Sequence, residues 1–348
     1  MNKKIIIIFS LIAFIFTSCE KQLIGTDEIN SPENNFEIFW KHLDQHYGIF
    51  HVRNLNWDSI YTEYKPQVKP TTTNTELWRI FSEMIDHLDD SHTLIYDNIK
   101  DTTHRSSYVL NKKARDIMSQ QLVEDHYLES VKYIDAKKRF SYGKLKNKDI
   151  GYIYLERFID FDYDAIDIAI NNIENNKALI FDLRSNRGGE GDMAERYASA
   201  FADGTHYVYS SQDKIGPAHD AFGPKKEHYT SVSKSKVFRK PIIVLTDRAT
   251  ISAAEEFLLH IKAFADVIQI GDTTAGDFSD VSPMQYLPNG WIYRYSHQMY
   301  LLPNGTSLDG IGHIPDIIIK NTQANIANNE DKVLEKAIDF LFNQYGIQ

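Results

Sequence analysis

The stretch from Ile242 to Phe257, IIVLTDRATISAAEEF, constrains the fold more than any other part of the chain. Its apolar run Ile242–Leu245 reads as a buried strand. The polar passage Thr246–Thr250 reads as a loop. From Ala253 the pattern is helical, with Glu255 and Glu256 in a first turn where acidic side chains suit the helix dipole. Ser252 stands where loop becomes helix. Backbone N–H groups at a helix start lack intrahelical acceptors, so an oxyanion formed there could be stabilised and the serine could serve as a nucleophile. Serine is also a favoured N-cap, and on this stretch alone the cap is the better reading.

The surrounding pattern is α/β from Ile150 onward. Ile150–Leu155 and Ala178–Leu183 read as strands, and Tyr163–Ile173 and Asp192–Phe201 as helices. Residues 205–235 read as a long polar loop, a length that usually signals function. Val267–Ile270 is a strand, Leu287-Pro288-Asn289-Gly290 a hairpin turn, Gln298–Leu302 another strand, and 331–345 a closing helix. Residues 31–97 read as a helical domain. Ser31-Pro32 starts its first helix, a short one covers 58–64, and Leu77, Phe81, Met84, Ile85 and Leu88 line a third. That third helix runs into Asp89-Asp90-Ser91-His92-Thr93 and an apolar Leu94-Ile95-Tyr96, so His92 lies at a helix exit beside a strand. Residues 98–148 read as a small linker subdomain and 149–348 as the main domain.

Among 348 residues, 42 % hydrophobic and 12 % aromatic content is enough for a sizeable core. Net charge is −10 with the signs mixed, and no basic stripe marks a nucleic-acid partner. Lys3-Lys4, the apolar Ile5–Phe16 and Thr17-Ser18 precede Cys19, the only cysteine, and no intramolecular disulfide can form. This segment resembles a bacterial lipoprotein signal, which implies lipidation at Cys19, a polar tether over 20–30 and a place in the cell envelope with the lipid in the membrane.

Four motifs then fall in order. Asp182-Leu183-Arg184-Ser185-Asn186-Arg187-Gly188-Gly189, Thr250-Ile251-Ser252-Ala253-Ala254-Glu255, Gly271-Asp272-Thr273-Thr274-Ala275-Gly276 and Gly310-Ile311-Gly312-His313-Ile314-Pro315-Asp316 span 182–316. Together they resemble the S41 family of serine peptidases, and the N-terminal helices ending at Ser91-His92 are similar to its tricorn-core-like branch. The resemblance implies an α/β fold, with a spiral ββα (ClpP/crotonase-like) catalytic domain behind an N-terminal helical bundle. It implies a polypeptide substrate cut by acyl transfer, with Ser252 as nucleophile, His92 as base and Asp309 in the place where that branch has Glu. Ser91 supports the relay, and the N–H of Ala253 and one from Gly188-Gly189 receive the oxyanion. One branch of the family places a lysine base 25 residues after its serine; here that position is Asp277, and Lys262 lies within the helix itself.

Each residue has a plainer role open to it. His92 suits a helix end, and Asp309 suits a turn after Asn304-Gly305. His313 and His297 are rival bases. Gly188-Gly189 lacks a phosphate-binding glycine pattern, and His87 and His92 miss the spacing of a helical metal pair, so neither cofactor nor metal is expected. A different class of function is also open, a non-catalytic lipoprotein that keeps the fold to bind peptide or another ligand. Convergence of Ser252, His92 and Asp309 separates the two.

Overall fold

The computed structural model describes residues 29–106, 117–159, 164–232, 237–264 and 267–348. Its first helix, Pro32–His46, starts where the Ser31 hydroxyl accepts the Asn34 N–H at 3.2 Å. Trp57–Tyr64 is capped by Asn56, and Asn74–Asp86 by a reciprocal Thr73–Glu76 capping box. Phe36, Phe39, Leu43, Leu77, Phe81 and Met84 fill the core between these helices. Helices alone do not close that core. Leu287, Trp291, Tyr293 and Tyr295 enter it from a hairpin two hundred residues further along the chain. Phe39 stacks on Phe81 and meets Tyr293 edge-on.

The same hairpin fixes the His92 segment. Leu94–Asp97 lies between Thr102–Arg105 and Ile292–Arg294 in a four-stranded antiparallel sheet. A strand held on both edges cannot slide by one residue without moving its buried side chains to the other face.

The central sheet has seven strands. From one edge they are Ile317–Ile318, Val267–Gly271, Ile242–Thr246, Ala178–Asp182, Ile150–Leu155, Phe140–Leu145 and Leu128–Tyr133. The first five run parallel, and the last two join antiparallel. Both faces are covered, which is why the parallel strands read as unbroken apolar runs. Ile242 and Val244 face a core shared with helices Ala165–Ile173, Gly191–Ser199 and Ala253–Lys262, while Ile243 and Leu245 face one shared with Lys332–Tyr345. Full burial of each such side chain stabilises the fold by roughly 1.5–3 kcal/mol.

Two expectations change here. Residues 98–148 are not a separate linker subdomain, because Leu128–Tyr133 and Phe140–Leu145 complete the central sheet and Thr102–Arg105 belongs to the His92 sheet. Residues 205–235 are not one long loop. Tyr207–Asp213 and Lys226–Tyr229 pair with each other, and Gln298–Leu301 adds a third strand. Val208 and Tyr209 bury against Leu259, Phe278 and Tyr300, a small core that holds this sheet over the end of the Ala253–Lys262 helix. Cys19 and the rest of the expected signal segment lie outside the described residues, as does Tyr163 at the expected start of the Ala165–Ile173 helix.

Candidate active site

Ser252 does not have the backbone of an ordinary cap. Its φ is 59° and ψ −125°, a conformation that L-residues adopt only at a cost of order 1–3 kcal/mol. The Glu255 N–H donates to the Ser252 carbonyl at 2.7 Å, a backbone contact and not a hydroxyl one. The backbone around Ser252 is tied down further. The Ser252 N–H donates to Glu255 Oε2 at 3.0 Å, which also takes the Asp277 N–H at 2.9 Å. Glu255 Oε1 takes the Thr274 hydroxyl at 2.6 Å and the Gly276 N–H at 2.7 Å. Burial, then the Asp277 charge, pushes Glu255 up to about 8, while these donors favour its ionised form. The turn is thus a strained strand-to-helix corner that presents a serine, held by the carboxylate one helical turn on.

The Asp182–Gly189 loop packs against this corner. Asp247 accepts the Ser185 N–H at 2.9 Å and the Ala249 N–H at 2.9 Å, and Thr250 donates to the Leu183 carbonyl at 2.9 Å. Arg184 is a buried bolt rather than a site residue. It bonds Asp182 and, at 2.9 Å, Asp331, the cap of the C-terminal helix. Gly188, at φ 70°, is pressed on the serine, and a Cβ there would lie 2.6 Å from the Ser252 Cβ. Its N–H donates to Asn186 Oδ1 at 2.9 Å. Gly188 therefore provides close approach, and its N–H is not the donor expected for an oxyanion. Gly189 lines the cleft with Ser252, and Ala253 opens the helix, where its N–H has no intrahelical acceptor.

Ser252 and His92 line one cleft of about 610 Å³, together with Ser91 and Gly189. His92 is 7 % exposed, and its backbone N–H donates to Asp90 Oδ1 at 2.9 Å. Burial holds its imidazole below the ordinary histidine value, against the pull of Asp90 and then Asp277. The shift favours the neutral imidazole, the form a base needs.

Asp309 sits differently from the expectation of a direct partner for His92. Its Oδ1 accepts from Arg53 at 2.8 Å, and the same guanidinium nitrogen reaches Asp277 Oδ1 at 2.8 Å. Asp277 Oδ2 in turn takes the Ser91 N–H at 3.3 Å. Arg53 also donates to the carbonyls of Leu88, Asp89 and Gly276, which binds the helix exit before His92 to the loops after Ser252. Burial pushes Asp309 up to about 7 in spite of Arg53. Among the described residues, Ser91 Oγ, His92 Nδ1 and Asp309 Oδ2 are buried with no hydrogen-bond partner.

The rival bases are placed elsewhere. His313 Nε2 lies 3.0 Å from the Glu255 carbonyl, and burial takes it down to about 3. His297 contacts the Asp280 carbonyl and Asp213, and Lys262 donates to Gln269 at 2.6 Å. The sequence alone gives no role in the site to Arg53, Asp90, Asp277 or Glu255. Asp90 adjoins the Ser91-His92 pair, and Asp277 fills the position of the other branch's lysine. Nothing local marks Arg53, whose carboxylate partners lie 224 and 256 residues away.

Residues 149–319 match Peptidase family S41, and residues 30–86 match the tricorn protease C1 domain. The carboxy-terminal-processing protease of Bartonella bacilliformis is 29 % identical over 178 residues, 49 % of this chain and 39 % of that protein. The chain thus aligns with well under half the length of that relative. The crystal structure of a predicted peptidase from Parabacteroides merdae shares 28 % identity at a TM-score of 0.80, covering 90 % of this chain and 97 % of that one. Mature CPAF, at 11 % identity, has the same fold, with a TM-score of 0.68 over 90 % of this chain and 98 % of its own. With its strained serine corner and both domain matches in the family's order, the chain belongs, through residues 149–319, to peptidase family S41.

Proposed function

We propose that the chain is an envelope-anchored serine endopeptidase acting on unfolded or C-terminal polypeptide segments. The observation that carries this reading is the Ser252 corner, strained and pinned by Glu255, opening on the same cleft as His92, which is buried. In the proposed reaction Ser252 Oγ attacks the peptide carbonyl while His92 takes its proton. The N–H groups of Ala253 and Gly189 receive the developing oxyanion. Collapse breaks the C–N bond, His92 returns its proton to the leaving amine, and water activated by His92 releases the acyl group. Asp90 and Asp277 stabilise the imidazolium by charge. Asp309 completes the relay through Ser91, the two unpartnered oxygens and His92 Nδ1 being the groups such a relay would join.

Reduced, alkylated casein incubated with the purified full chain tests the activity by mass spectrometry of new termini. Cleavage by wild type and none by Ser252→Ala is expected; none by folded wild type, or equal cleavage by both, contradicts it. Anchoring at Cys19 is tested apart from this, by membrane fractionation of Cys19→Ala. The variant is expected in the soluble fraction, and unchanged membrane recovery contradicts the anchor.

A further inference from the structure

Among the described residues, the cleft that holds Ser252 and His92 is lined by four arginines, Arg105, Arg157, Arg187 and Arg294, and by one carboxylate, Asp280. This is unexpected in a chain of net charge −10. The arginines come from separate elements and fall on two walls. Arg105 and Arg294 are both in register with Leu94, one on each neighbouring strand, so the pleat puts their side chains on one face, about 10 Å apart across two strand spacings. Arg105 also donates to the Ser91 carbonyl, beside the proposed base. Arg157 and Arg187 form the opposite wall, where the Arg187 N–H bonds the Glu156 carbonyl at 3.0 Å and Phe158 bridges Gly189.

On the His92 wall the two arginines lie close enough to act on each other. Burial lowers Arg105, and Arg294 lowers it further, against the pull of Asp90 and then Asp277. Burial also lowers Arg294, with only Asp90 opposing. Arg294 Nε is buried and meets no acceptor among the described residues. On the other wall, Arg157 and Arg187 are exposed. Asp280, also exposed, stands at the rim between this cleft and a neighbouring cavity. Like charges gathered on the walls of a cleft focus a positive potential into it, which a substrate carboxylate would relieve. The planar fork of arginine suits a carboxylate geometrically as well as by charge.

We infer that the segment of polypeptide crossing this cleft is anionic, its carboxylates read by Arg105 and Arg294 on the His92 wall and by Arg157 and Arg187 on the Gly189 wall. This rests on the peptidase reading and adds the substrate's charge to it. The carboxylates can be Asp and Glu side chains or a chain terminus close to the cut.

Binding to the full chain carrying Ser252→Ala tests it without turnover. The probes are fluorescein-labelled Ala-Ala-Asp-Glu-Ala-Ala, its isostere Ala-Ala-Asn-Gln-Ala-Ala, and each with a free or amidated C-terminus. Tighter binding of an acidic peptide by about tenfold or more, weakening as NaCl rises from ~50 to ~500 mM, is expected. Arg187→Glu and Arg157→Glu, both at exposed positions, should remove most of the difference, and Arg294→Gln part of it. A preference kept only by free C-termini assigns the carboxylate to the chain end; one kept by amidated acidic peptides assigns it to side chains. Equal binding of all four peptides, or a preference unchanged in the arginine variants, overturns the inference. Fluorophosphonate labelling of wild type is scored in parallel. Labelled Ser252 with no charge preference sinks this inference alone, and acidic-peptide binding without labelling sinks the peptidase reading alone.

Discussion

Glu255 holds Ser252 by its backbone: the carboxylate accepts the serine N–H at 3.0 Å and gathers Thr274, Gly276 and Asp277 to the same point. The fold thereby couples the nucleophile corner to the loop that leads to Asp277 and Arg53. Glu255→Gln keeps the shape but turns an amide N–H₂ toward a cluster of donors. At pH 9, where the carboxyl is ionised, loss of about 2–4 kcal/mol is expected, the scale for disrupting a buried charged hydrogen-bond cluster. Urea unfolding measures it, and a change below about 0.5 kcal/mol, the level of an ordinary surface substitution, contradicts it.

Gly188→Ala tests the close approach at the serine. The added Cβ meets the Ser252 Cβ at 2.6 Å and the Ile251 carbonyl at 2.8 Å, on a backbone at φ 70°. The substitution should cost about 1–3 kcal/mol and displace the nucleophile, so that casein cleavage falls by about tenfold or more. Gly290→Ala, also at positive φ but with open space around it, serves as the control and should leave cleavage unchanged. Equal effects of both substitutions contradict the packing argument.

The pH profile reports on His92. Because burial lowers its pKa, the acid limb of kcat/KM should lie below 6.5, with activity rising as the imidazole loses its proton. Asp90→Asn removes a charge that raises that pKa, so the limb should move to lower pH. The imidazolium formed during reaction also loses support, and kcat should fall by about tenfold or more. A limb that moves upward contradicts the assignment.

Stability should depend on pH through Glu256. Burial, then Asp280, raises it from 4.5 to about 8. Between those values the folded state binds the proton and the unfolded state does not, so its contribution is present below pH 4.5 and is lost as pH rises through 8. Glu256→Gln removes this loss. Its Tm relative to wild type should therefore be higher at pH 9 than at pH 6. A difference that is flat, or larger at acid pH, contradicts it.

Much of this arrangement is legible in the chain because its signals are local. The apolar runs mark strands buried on both faces, and the caps at Ser31 and Thr73 mark helix starts. The motif loops meet because strands in a parallel sheet bring their C-terminal ends together. What the chain conceals is long-range. Tyr207–Asp213 reads as polar loop because serines on a strand are buried as readily as apolar residues when their sheet is covered. Gln285–Arg294 gives a hairpin signal but no hint that it completes the N-terminal core. Asp309 fits its motif by spacing, yet its visible partner is Arg53, which no motif names. Ser252 reads as a cap until its backbone angles are known.

The central claim is that Ser252 is an activated nucleophile served by His92. Labelling of the full chain by a fluorophosphonate, read by intact-mass and peptide mass spectrometry, tests it most directly. The account predicts one adduct, on Ser252, absent from Ser252→Ala and strongly reduced in His92→Ala. A folded wild type that takes no adduct, or one that labels another serine when Ser252 is replaced, contradicts it and favours a chain that keeps the fold to bind peptide.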